Sequence, residues 1–217
     1  VGRDREREYL QQSWEQARQA RLNVPVVLLW GEPGIGKTRL AVEAAALVRS
    51  SGAPVVELAG SALHADTGLH PVRTLVERRC GITRHVGGVE RLKLLQDELR
   101  SCGMDPAQTM PLLASVIGVG PEHGYQPAVA EGLTLYELIR TTVRQYVLAC
   151  IGDGPGLIVA EDVHWFEPST MELLTSLAAD ADGRLLLVIT GRDGPWREKD
   201  WPAEIFELAP LTDEQSD

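Results

Sequence analysis

"VVLLWGEPGIGKTRL", Val26 to Leu40, decides the fold. Its apolar opening runs into a turn with glycine at 31, 34 and 36, and Lys37 and Thr38 follow at once. A short continuous apolar run marks a strand buried on both faces. After Lys37, residues Leu40, Ala41, Ala44, Ala45 and Val48 recur at helical spacing. Strand, glycine-rich turn and helix thus come in sequence. Gly31-Glu32-Pro33-Gly34-Ile35-Gly36-Lys37-Thr38 fits GxxxxGK[ST] at every fixed position. Glycines let the backbone wrap an anion with its N–H groups pointing inward. The helix starting near Gly36 aims its positive end at the same anion. Lys37 can reach the β- and γ-phosphates of a nucleotide, and the Thr38 hydroxyl can ligate Mg²⁺. Gly31 through Arg39 are therefore the candidate nucleotide contacts.

Outward from this loop the chain alternates strands with helices. Residues 4–20 carry Leu10, Trp14 and Ala17 as a helix stripe, and "VPVVLLW" (24–30) is the first strand. "APVVELAG" (53–60), "GLIVAED" (156–162), "RLLLVITGR" (184–192) and "EIFELAP" (204–210) read as four more. Helices are expected over 71–80, 89–102, 110–118, 133–150 and 168–179, with a loop over 119–131. In 133–150, Leu135, Leu138, Ile139, Val143 and Val147 fall on one face. Such alternation means a mainly parallel five-stranded sheet covered on both faces, a three-layer α/β P-loop fold. Residues 61–131 form a helical insertion covering one face, and 1–217 read as one nucleotide-binding core. The ends suggest a piece of a longer protein: there is no initial Met, and "LTDEQSD" looks like a helix start, with Thr212 as cap and Glu214 and Gln215 in the first turn.

The second acidic motif narrows the class. "LIVAEDVHWFEPST" ends an apolar strand with Glu161 and Asp162, where open α/β sheets bind ligands. One carboxylate can hold Mg²⁺ and the other can activate a water. Adjacent strand residues point to opposite sides, so Glu161 is assigned to the metal and Asp162 to the water. The alternative is that either one caps the next segment. Asp162 lies 125 positions after Lys37 with a further strand between. That suits the ATPase branch carrying an extra strand between the P-loop strand and the acidic strand.

Bulk properties set limits. The 217 residues carry a formal charge of −10 and a pI near 5.0, which argues against a nucleic-acid or membrane surface. Cys80, Cys102 and Cys150 are widely spaced without a metal pattern, so they read as reduced thiols in a cytosolic setting.

"VGRDRE", "GEPGIGKTRL", "VAEDVHWFEPSTMELL" and "LLLVITGRD" stand in the order of the STAND ATPases. The chain resembles the AAA-type ATPase modules of large bacterial regulators, found behind class III adenylyl cyclase domains or ahead of LuxR-type DNA-binding domains. "LVERRCGI", "RLKLLQDELRSCGMDP" and "PLLASVIGV" resemble the cyclase-associated group best. The resemblance implies ATP or ADP with Mg²⁺, slow hydrolysis, partners among other domains of the same chain, and assembly of copies on ATP binding. It places Val1, Gly2 and Arg3 over the adenine, with Arg3 bonding the base; the alternative is an ordinary surface arginine. It makes Arg192 the sensor of the γ-phosphate, with Thr190 a weaker candidate and a solvated arginine the alternative. His164 and Trp165 match an HW pair that could link the acidic strand end to a partner surface. Two positions depart from the pattern: Glu161 and Glu167 stand where aspartate is common. A scaffold that binds nucleotide without hydrolysis is the competing reading. A kinase would need an acceptor pocket, for which 61–131 offers His64, His70, Arg73 and Arg84.

Overall fold

The computed structural model describes residues 2–210. Val1 and the helix start read at Thr212, Glu214 and Gln215 lie outside the described residues. Among the described residues five strands form one sheet: β1 (Val26–Trp30), β2 (Val55–Ala59), β3 (Gly156–Glu161), β4 (Leu185–Gly191) and β5 (Ala203–Glu207). Their order is β2-β3-β4-β1-β5, and every pair is parallel. β4 lies between β1 and β3, so it is the inserted strand, and β2 is an edge.

Side chains of a strand alternate between faces, and the two cores follow that rule. Val27 and Leu29 pack with α1 (Asp4–Arg18) and α2 (Lys37–Ser50). Val26 and Leu28 face the opposite layer. That layer holds α3 (His70–Cys80), α4 (Gly88–Ser101), α5 (Pro106–Val116), α6 (Gly132–Ile151) and α7 (Pro168–Ala179). The insertion covers this face through Leu75, Leu95, Leu99, Leu113 and Ile117, all at most 2% exposed. Among the described residues no helix is long and apolar enough to cross a membrane.

Two expectations are corrected. The helix expected at 110 begins at Pro106: the Asp105 carboxylate accepts from Ala107 N at 3.0 Å, and Pro106 occupies the first turn, where a missing N–H costs nothing. The apolar stripe of α6 is buried only from Thr142 onward, and Leu138 is 42% exposed. Twenty residues make a helix of about 30 Å, and the six-residue β3 spans only about 20 Å, so the first turns of α6 outrun the sheet.

Candidate nucleotide-binding site

The loop between β1 and α2 is a turn of three left-handed glycines. Gly31, Gly34 and Gly36 have φ of 150°, 78° and 103°. At Gly31 a Cβ would lie 2.6 Å from the Leu208 carbonyl oxygen, so only glycine fits beside the chain leaving β5. Gly36 precedes α2 and has no side chain to cap it. The first-turn amides of Lys37, Thr38 and Arg39 have no acceptor within the helix, and they meet the positive end of its dipole. This cradle fits a phosphate group.

Lys37 is 6% exposed, and its ammonium donates to the carbonyls of Gly31 (2.7 Å) and Glu32 (2.8 Å). Burial pulls its pKa down; Asp162 opposes the fall, and Arg192 adds to it. Both residues are thus within electrostatic reach of the ammonium. Glu32, Pro33 and Gly34 are exposed, and Ile35 is half-buried. Thr38 is also exposed. Arg39 turns to Glu43, which also pairs with Arg7 at 3.0 Å.

Glu161 ends β3 half-buried. Burial pushes its carboxyl up, a hydrogen bond with Thr38 pulls it down, and Asp162 and Glu57 push it up again. The hydroxyl of Thr38 and the carboxyl of Glu161 therefore stand together as hard oxygen donors, a set that suits Mg²⁺. Asp162 corrects the expected alternation. It is no longer in the strand: its φ of 54° and ψ of 45° are left-handed, and it starts the 3₁₀ turn Val163–Trp165. Opposite facing therefore does not separate the two carboxylates. The Asp162 amide donates to Thr190 Oγ1 at 3.2 Å. Thr190 is fully buried, so its hydroxyl positions this turn.

Arg192 follows β4, and its side chain is exposed. Its amide donates to His164 Nδ1 at 3.3 Å. Nδ1 is then the acceptor, and the proton of the neutral ring sits on Nε2, which is buried without a partner among the described residues. Burial also lowers the His164 pKa, first among its causes. His164 thus joins the acidic turn to the arginine segment.

The sequence profile of the AAA ATPase domain matches residues 1–189. The chain belongs to that family. It is thereby an AAA-type P-loop ATPase module, as its motifs implied. No curated protein matches this chain in sequence. Among solved structures it is similar to a STAND (signal transduction ATPase with numerous domains) protein with a tetratricopeptide repeat sensor from Pyrococcus horikoshii. Identity there is 18% over 100% of this chain and 24% of that one, with a TM-score of 0.49. It is also similar to VirB4 of Thermoanaerobacter pseudethanolicus, at 12% identity over 90% of this chain and 79% of that one, with a TM-score of 0.38. The AAA ATPase domain described here spans 24% of the length of the first of these.

Three features of the AAA ATPase domain escaped the sequence. Arg3 Nη2 donates to the carbonyls of Ile35 (3.2 Å) and Ala209 (2.6 Å), tying the loop to the segment after β5. Arg3 also lines a cleft of about 350 Å³ with Gly34, Ile35, Gly36 and Arg39; Gly2 beside it is half-buried. Glu167, 9% exposed, caps α7 by accepting from the amides of Ser169 (2.6 Å) and Thr170 (2.8 Å), and it also accepts from the amide of Leu69 (2.8 Å). Pro168 at the first helical position is the sequence signal that could have marked this cap. Gly60 follows β2, and a Cβ there would lie 2.4 Å from the Asp162 carbonyl oxygen. Of the residues weighed for a kinase pocket, His64 and His70 stack with centroids 3.8 Å apart, Arg73 pairs with Glu77 at 3.0 Å, and Arg84 is exposed.

Proposed function

We propose that this domain is an ATP/ADP-binding signalling switch of the STAND type, with slow Mg-dependent hydrolysis, regulating an effector attached to it. The carrying observation is the His164 bridge. Lys37 lies in the field of both Asp162 and Arg192, and His164 connects the backbone of one to the turn of the other. A change of charge at the γ-phosphate position would act on Lys37 and Arg192 together. Its displacement would pass through His164 into the acidic turn and α7. A difference between ATP and ADP is then a difference between two arrangements of this segment.

In this reading Gly31 to Arg39 hold the phosphates, and Gly2 and Arg3 border the adenosine. Thr38 and Glu161 would hold Mg²⁺, which supplies charge neutralisation when bound. Lys37 stabilises negative charge on the transferred group. Asp162 orients the attacking water. Arg192 reads the γ-phosphate by a bidentate contact. With a charge of −10 the domain itself is assigned no nucleic-acid or membrane role; its partners are other domains of its own chain and, on ATP binding, further copies.

The test is calorimetric titration with Mg-ATP and Mg-ADP, with Lys37→Ala alongside. Charge-assisted bonds of Lys37 to phosphate are worth about 3 kcal/mol together, so the variant should bind on the order of a hundredfold more weakly. An unchanged affinity would refute the cradle. Unequal ATP and ADP affinities in the parent chain support the switch, and equal ones refute it. One observation favours the second reading, a nucleotide-binding scaffold: burial biases Glu161 toward its neutral form, a poor Mg²⁺ ligand. Absence of phosphate release at saturating ATP would select that reading.

A further inference from the structure

Of the three cysteines, at 80, 102 and 150, the last two converge on the Glu98 carboxylate. Cys102 caps the end of α4, Glu98 lies one turn earlier on the same helix, and Cys150 sits in the last turn of α6. One ligand atom from each of Glu98, Cys102 and Cys150 can be chosen so that all lie within 4.8 Å of one another. We propose that Glu98, Cys102 and Cys150 form a binding site for a thiophilic divalent cation, zinc being the natural example.

Geometry comes first. Tetrahedral zinc holds sulfur at about 2.3 Å and carboxylate oxygen at about 2.0–2.2 Å, which sets ligands about 3.5–3.8 Å apart. The observed spacing needs a contraction of only about 1 Å, within reach of side-chain rotation. Glu98 and Cys102 are four residues apart, so both project from one helix face. Cys102 Sγ already donates to Glu98 Oε1 at 3.3 Å.

The carboxylate is held by an outer pair, an exposed arginine and a buried tyrosine. Arg79 Nε donates to Glu98 Oε1 at 2.5 Å, and the fully buried Tyr146 donates its hydroxyl to the same oxygen at 3.1 Å. Partners of this kind orient a ligand and are part of what builds a metal site. Two thiolates select for zinc-like ions over Mg²⁺ or Ca²⁺.

Charge balance favours the exchange. Glu98 and Arg79 cancel while both thiols carry their protons. A divalent cation that displaces two protons leaves the sum at zero: M²⁺ and two R–SH give M(SR)₂ and two H⁺, with the carboxylate as third ligand. A thiol with an ordinary pKa of about 8.5 carries its proton at neutral pH, and only the thiolate ligates a metal. The cation must therefore displace both protons at neutral pH, and its affinity should rise about a hundredfold per pH unit. Such a site would clamp α4 of the insertion to α6, the helix that leads into β3 and Glu161. It is independent of the nucleotide reading.

The experiment titrates the full chain, reduced with a phosphine, with Co²⁺ as spectroscopic probe and Zn²⁺ as competitor. The expected result is one equivalent bound, a sulfur-to-cobalt charge-transfer band, two protons released per cation, and displacement by Zn²⁺. Cys102→Ser should weaken binding at least about a hundredfold while circular dichroism stays unchanged, since Cys102 is only half-buried at a helix end. Bound Zn²⁺ should also protect Cys102 of the unmutated chain from alkylation, a readout that needs no variant. No saturable binding at micromolar cation, binding without proton release, or equal affinity in Cys102→Ser would each overturn the proposal.

Discussion

Replacing Glu167 with alanine tests the argument that one buried carboxylate fixes the segment behind the acidic turn. In the native fold Glu167 accepts from the amides of Ser169, Thr170 and Leu69 and from the Thr170 hydroxyl. Leu69 holds a left-handed backbone, φ 57°, at the start of α3. For a residue with a Cβ that conformation costs roughly 1–2 kcal/mol, and it persists where neighbours over-determine it. Losing a helix cap costs about 1 kcal/mol. Leaving the Leu69 amide and the fully buried Thr170 hydroxyl unpaired costs about 1 kcal/mol each. Glu167→Ala should therefore destabilise by about 3 kcal/mol, a fall of roughly 6–12 °C in Tm for a chain this size. Glu167→Asp is shorter by about 1.3 Å. It can still cap α7 but cannot span to Leu69, so it should lose about half as much. Urea melts at neutral pH measure both. The pH profile is a second check. Burial raises the Glu167 carboxyl, but the hydrogen bonds from Thr170, Leu69 and Ser169 together outweigh it, and its pKa lies below the ordinary 4.5. A depressed carboxyl gives its full stabilisation above 4.5 and loses it as pH falls through the folded value. The parent chain should thus lose stability on acidification more steeply than Glu167→Ala. A change within about 0.5 kcal/mol for alanine, or equal losses for alanine and aspartate, would refute the reasoning.

Gly60→Ala would set a Cβ 2.4 Å from the Asp162 carbonyl oxygen and 3.1 Å from Trp165 Cβ. We expect a loss of about 1–3 kcal/mol in urea melts and weaker nucleotide binding, because the displaced turn carries Asp162. His164→Ala removes the acceptor of the Arg192 amide; ATP and ADP affinities should then converge in calorimetry while the melting temperature shifts little. Glu161 has a raised carboxyl, so its neutral form stabilises the fold at low pH, and that stability is lost as pH rises from 4.5 through the folded value. Glu161→Gln should flatten this decline in a stability profile taken across that window.

The local code was easy to read and the long-range contacts were not. The strands around Gly31–Thr38 and the acidic end at Glu161 follow from short apolar runs, and α7 at 168–179 matches its helix pattern residue for residue. What failed depended on tertiary neighbours. Leu138 is apolar at the right spacing, yet nothing covers the part of α6 that outruns the sheet. Asp162 looked like another strand residue because a left-handed φ at a non-glycine leaves no mark in composition. The bond from Leu69 to Glu167 crosses 98 positions and that from Arg192 to His164 crosses 28. Neither has a period or a motif. The cysteines were legible as three thiols, but the meeting of Cys102 and Cys150 at Glu98 depends on where α4 and α6 end.

The register of β1 has a consequence for how the chain is made. Val26 pairs with Leu187 on one side and with Ala203 on the other. The strand leading into the phosphate loop leaves the ribosome well before both of its partners. At translation speeds of about 5–20 residues per second, that interval is on the order of ten to thirty seconds. For all of it "VVLLW" is an exposed apolar strand with no ladder on either edge, the kind of segment that pairs with the wrong chain. The loop's glycines have no frame to hold them until β4 and β5 arrive. Nucleotide affinity is therefore acquired only once β4 and β5 have been made, well after the residues that confer it have been joined.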